Sequence, residues 1–188
     1  MNKKLATVIS RIFDPFITFA VALVAVFYKQ GEPLSTLGLF ILLGIGVPFL
    51  LTVIALKKHM IGNWDISERR ERPKFFGMLL VVECIILFLM KNMVTASTLH
   101  FLIFIIAGIV GLAVITLFWK ISGHMAALAL ATGTLIALFG PSWWPVLLIV
   151  PVVGWARVIR KDHTILQVAA GALYSWSLLI LFGKIFNF

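Results

Sequence analysis

The chain has 188 residues, 62% hydrophobic and 12% charged, with a mean hydropathy of +1.10. A water-soluble domain of this make-up would lack the polar residues needed to cover its surface, so lipid is the expected solvent for most side chains. The formal charge of +9 gathers in a few short segments between apolar runs, which points to membrane topology and an anionic ligand, and away from nucleic acid. A lone cysteine, Cys84, excludes an internal disulfide.

In chain order, apolar runs of spanning length predict helices at roughly 14–29, 35–56, 75–95, 98–119, 122–139, 143–159 and 164–182. The expected fold is all-α, a polytopic transmembrane helical bundle of six or seven spans forming a single integral-membrane domain over 1–188. The first run is read as a retained span. Arg11, Asp14 and Pro15 interrupt a signal-peptide layout after Lys3 and Lys4, and Tyr28-Lys29-Gln30 offers no small-residue cleavage site. Run 143–159 carries Pro145 and Pro151 and is the weakest crossing; the turn Gly140-Pro141-Ser142 on one side and a charged cluster on the other argue for counting it. Small residues (Gly123, Ala126, Ala127, Ala129, Ala131 and Gly133 in one run; Ala169 to Ala172 in the last) predict that these two helices form the interior, with the third run facing lipid.

Seven crossings place thirteen Lys and Arg residues on one face and three on the other. The positive-inside rule assigns the basic face to the cytoplasm, in a cell (inner) membrane. Removing the candidate anion ligands Arg69, Arg72, Lys120 and Arg157 still leaves nine against three.

Three polar segments stand out on that face, where polar residues at a membrane tend to be functional. They are Asp65 to Lys74, Lys120-Ile121-Ser122-Gly123-His124, and Arg157 through His163 to Gln167. Ser122 suits a helix N-cap, and the exposed N–H groups of a helix start attract anions. Arg69 and Arg72 are three apart and would share a helical face. Lys120 and Arg157 add cations, and guanidinium groups match phosphate oxygens in pairs. His124 and His163 open the two interior helices. His163 and Gln167 are four apart, so the Gln167 carbonyl would accept from Nδ1–H and leave Nε2 to attack phosphorus. A nucleophile, an acid and a cationic cradle are what covalent phosphoryl transfer requires.

Plainer roles exist for each: a positive-inside loop for the Arg69–Arg72 run, backbone-bonded helix-end histidines, an interfacial anchor for Lys120 beside Trp119, a packing amide for Gln167. Bis-histidine haem ligation has no other supporting feature. Glu83, inside the third run, suits a substrate route or an internally paired structural carboxyl. Lys91 would snorkel to the interface, and Trp143, Trp144 and Trp155 fit an aromatic belt.

Arg72-Pro73, Ser122-Gly123-His124 and Arg157 with His163 six residues later resemble the three signature motifs of the type 2 phosphatidic acid phosphatase and vanadium haloperoxidase superfamily, K-x6-R-P, P-S-G-H and S-R-x5-H-x3-D. Seven of the eleven defined positions are kept, in order, over a phosphatase-like core of about 65–171. The departures are Asp65 for the lysine, Ile121 for proline, Ala156 for serine and Gln167 for the aspartate. The resemblance implies His163 as nucleophile, His124 as general acid, and Arg72, Arg157, Ser122 and Gly123 as phosphate ligands, with Arg69 or Lys120 replacing the lysine and Gln167 orienting His163. It implies a metal-independent lipid phosphatase or diphosphatase without cofactor, acting on a polyprenyl diphosphate, phosphatidic acid or phosphatidylglycerol phosphate through a phosphohistidine. The alternatives are a catalytically impaired relative that binds or moves a phosphorylated lipid, and a small transporter or channel.

Overall fold

The computed structural model describes residues 2–186. In chain order it forms α1 (Lys3–Ile12), α2 (Pro15–Lys29), α3 (Leu34–Ile41), a π-turn (Leu42–Gly46), α4 (Val47–Lys57), a 3₁₀ turn (Arg69–Glu71), α5 (Arg72–Met90), a second 3₁₀ turn (Lys91–Met93), α6 (Ala96–Phe118), α7 (Gly123–Phe139), a longer 3₁₀ segment (Pro141–Leu148), α8 (Ile149–Ile159) and α9 (Ile165–Phe186). No strand occurs among the described residues. The chain is an all-α, polytopic membrane protein. Six helical stretches are long and apolar enough to cross a bilayer, and Gly123–Phe139 is a shorter apolar helix.

The predicted runs fall on these helices, and three local features depart from a simple series of spans. Residues 3–12 form a helix that no apolar run announces, capped by the Asn2 side chain, which accepts from Lys4 and Leu5 N–H. Asp14 breaks the chain from α1 to α2: its carboxylate accepts the Phe16 N–H at 3.0 Å, and Pro15 opens the new helix. At the start of the last but one crossing, Pro141 and Pro145 have no N–H to donate, and Pro141–Leu148 winds as 3₁₀ before α8. A 3₁₀ turn rises about 2.0 Å per residue against about 1.5 Å in α, so the weak crossing gains length and reaches roughly the 30 Å of a hydrocarbon core.

Contacts divide the chain into two compact units, residues 1–29 with 121–188 and residues 30–120. In the first unit α7 is central, packed on α2, α8 and α9, and α1 lies against α8. Its core joins Met125, Leu128 and Ala129 of α7, Val150 and Val153 of α8, and Ala172 of α9, with Ile9 of α1 and Phe13 just beyond it packed against them. Every residue from His124 to Thr132 is buried, as the small-residue pattern predicts for this helix, whereas α9 buries one face only, with Gly171, Ala172, Ser175, Leu179 and Phe182 inside and Ala169 exposed. In the second unit α5 runs along α6. Val81, Ile85, Phe88 and Leu89 of α5 are exposed, as a lipid-facing helix requires.

Candidate functional site

The first unit holds Ser122, Gly123, His124, Arg157, His163 and Gln167; Arg69, Arg72 and Lys120 belong to the second. In the first unit, α9 begins with a reciprocal capping box. Thr164 Oγ1 accepts the Gln167 N–H at 3.3 Å, and Gln167 Oε1 accepts the Thr164 N–H at 3.2 Å. The same Oε1 lies 3.2 Å from His163 Nδ1. A backbone N–H only donates, so the atom facing Thr164 is the amide oxygen, and an oxygen facing Nδ1 places the proton there. In the neutral ring, Nε2 then carries the lone pair. The His163 side chain is buried.

α7 starts against this turn. Ser122 Oγ caps it by accepting the Met125 N–H at 3.4 Å, and the Ser122 N–H donates to the Gln167 carbonyl at 3.2 Å. Gly171, one turn along α9, makes the approach possible: a Cβ there would stand 2.5 Å from the Ser122 carbonyl oxygen and 3.1 Å from Met125 Cβ. A backbone oxygen cannot swing aside as a side chain can. Gly123 differs, since a Cβ at that position would meet nothing within 4 Å. There is open space beside the first turn of α7, at the positive end of the helix dipole. His124, in the same turn, is buried.

Arg157 ends α8 with only 1% of its surface exposed. Its Nη1 donates to Ser10 Oγ of α1 at 2.6 Å and lies 3.2 Å from Asp162 Oδ2. That carboxylate oxygen also receives Arg160 Nε at 2.6 Å. The backbone fixes Asp162: its N–H donates to the Arg157 carbonyl, the Lys161 N–H donates to the Val158 carbonyl, and Lys161 is left-handed at φ 64°. This is a Schellman turn with lysine where glycine is usual, at about 1 kcal/mol of backbone strain. A buried guanidinium demands such partners, because an uncompensated charge out of water is very unfavourable.

In the second unit Arg72 opens α5 and is buried, with Nε donating to the Ile66 carbonyl at 2.9 Å. Ile66 presents that carbonyl from a left-handed backbone at φ 46°, where a β-branched residue is a true outlier. Its side chain packs with Ala55 and Ile61. Arg69, three residues before Arg72, is exposed and donates instead to the Leu117 carbonyl at 2.5 Å, one of the last carbonyls of α6. The two arginines therefore meet different partners. Lys120 is half-buried beside exposed Trp119, and Asp65 is half-buried.

Compared with protein-family models, with curated proteins and with solved structures, the chain finds no match.

Among the described residues, no three His, Cys, Asp or Glu side chains gather as metal ligands would. Sequence reasoning overlooked Ser10, Asp162 and Thr164. Thr164 was legible as the first residue of T-x-x-Q, and Asp162 as the one acidic residue among Arg157, Arg160, Lys161 and His163. Nothing local marks Ser10, which reaches Arg157 across 147 residues of sequence.

Proposed function

We propose that this protein is an integral-membrane lipid phosphatase that removes a terminal phosphate through a phosphohistidine on His163. The observation carrying the reading is the His163–Gln167 contact, with Gln167 oriented by the Thr164 N–H, which leaves Nε2 as the nucleophilic nitrogen. Nε2 attacks phosphorus and the lipid oxygen departs with a proton from His124. Water then attacks the phosphohistidine, His124 takes up its proton, and inorganic phosphate leaves. Arg157, the Ser122 hydroxyl and the Gly123 N–H supply charge and donors for the phosphoryl oxygens, where charge builds in the transition state. The motif resemblance adds Arg72 as a further ligand, with Arg69 or Lys120 in the role of the missing lysine. The substrate is a lipid whose terminal phosphate enters at the bilayer surface while its tails stay in hydrocarbon: a polyprenyl diphosphate, phosphatidic acid or phosphatidylglycerol phosphate. Charge distribution favours a cytoplasmic site.

A second reading has its own observations. Gln167 offers a neutral amide where the motif has a carboxylate, and Asp162 already sits on Arg157. Both features suit a relative that binds or moves a phosphorylated lipid without cleaving it. Phosphate release from lipid phosphates, inhibited by vanadate and abolished in His163→Ala, separates the two.

A further inference from the structure

We infer that Asp162 is an internal counter-ion that occupies Arg157 in the substrate-free protein and passes to Arg160 when phosphate binds, so that it sets the affinity for the anion. The inference rests on the reading of Arg157 as a phosphate ligand. One oxygen, Oδ2, serves both guanidinium groups, at 3.2 Å from Arg157 Nη1 and 2.6 Å from Arg160 Nε. The shorter contact is to Arg160, which is 14% exposed, whereas Arg157 is 1% exposed. The carboxylate can therefore release Arg157 without losing a cationic partner. An entering phosphate offers Arg157 the same chemistry, oxygen anions in the plane of the guanidinium. Meanwhile Ser10, at 2.6 Å on Nη1, keeps the side chain in place through the exchange. The left-handed Lys161 turn holds Asp162 against Arg157 through backbone bonds, so the competition is built into the end of α8.

Two substitutions carry opposite signs. Asp162→Asn removes the competing charge and should tighten binding of orthovanadate and inorganic phosphate about three- to tenfold. Arg160→Gln removes the second cation from Oδ2, strengthens its hold on Arg157 and should weaken binding by a similar factor. An ion pair that only braces the turn would move both variants in the same direction. The experiment is equilibrium titration of the full-length protein in detergent micelles with each anion, for wild type, Asp162→Asn, Arg160→Gln and Arg157→Gln. Opposite shifts support the counter-ion. Shifts of the same sign, or an unchanged Asp162→Asn, overturn it while the phosphatase reading stands, provided Arg157→Gln abolishes binding. Should Asp162→Asn fail to fold, Arg160→Gln decides alone: unchanged or tighter binding overturns the inference. Undiminished binding in Arg157→Gln, or no binding in any variant, would overturn the inference and the phosphate-ligand reading together.

Discussion

Gln167 and Ser122 are joined backbone to backbone: the Ser122 N–H donates to the Gln167 carbonyl at 3.2 Å, while the Gln167 side chain faces His163. One residue of α9 thus ties the start of α7 to the proposed nucleophile. A carboxylate would fit the same place. Gln167→Glu keeps the capping box and sets a charge against Nδ1–H, stabilising the imidazolium that develops on His163. Phosphate release should rise about tenfold or more. Gln167→Ala loses box and orientation, lowering stability by about 1 kcal/mol and reducing release. Initial rates and thermal unfolding measure both; a slower Gln167→Glu would argue against an orienting role.

Two glycines should respond differently to one methyl group. At Gly171 the Cβ meets the Ser122 carbonyl, so Gly171→Ala should destabilise the first unit by about 1–3 kcal/mol and shift the first turn of α7. At Gly123 it meets open space, and Gly123→Ala should fold at least as stably as wild type. The same methyl would intrude where phosphate is proposed to lie, so vanadate inhibition should weaken. Unfolding temperature and inhibition constant, read on both variants, test the contrast.

Arg72 donates Nε to the Ile66 carbonyl, and the proposed function asks the same planar fork to meet a phosphate as well. Lysine keeps the charge but cannot do both. Arg72→Lys should lower kcat/KM about 10- to 100-fold, the value of one charge-assisted hydrogen bond. Activity equal to wild type would remove Arg72 from the site.

Acid should loosen the second unit through Glu32, which lies between helices α2 and α3. Burial alone would raise its carboxyl pKa, but bonds from the Thr98 hydroxyl, the Thr95 N–H and the Thr95 hydroxyl outweigh burial and hold it below the ordinary value of 4.5. A carboxylate with a depressed folded pKa stabilises above its unfolded value, and the contribution disappears as pH falls through the folded value. Thermal unfolding of wild type should therefore lose stability on acidification below about pH 4.5, and Glu32→Gln should lose less. Parallel curves for the two would contradict this.

The spans were legible because lipid imposes long apolar runs, and His163 with Gln167 was legible because both lie within one turn. Residues 3–12 were not: their helix is short and charged, and its buried face, with Ala6 and Ser10, has meaning only against α8. Ile66 gives no signal either, since a β-branched residue is the last one expected in a left-handed turn. The Arg69–Arg72 spacing suggested one shared face, but the 3₁₀ turn and the carbonyls of Leu117 and Ile66 give the two side chains separate environments.

The most direct test is phosphate release from a panel of lipid phosphates and diphosphates by the purified protein, beside His163→Ala and His124→Ala. The account predicts release by wild type, its loss in His163→Ala, a fall of about 10²- to 10⁴-fold in His124→Ala, and a phosphohistidine trapped only when His163 is present. Release that persists undiminished in His163→Ala, or no release from any lipid by a folded protein that still binds them, would contradict it.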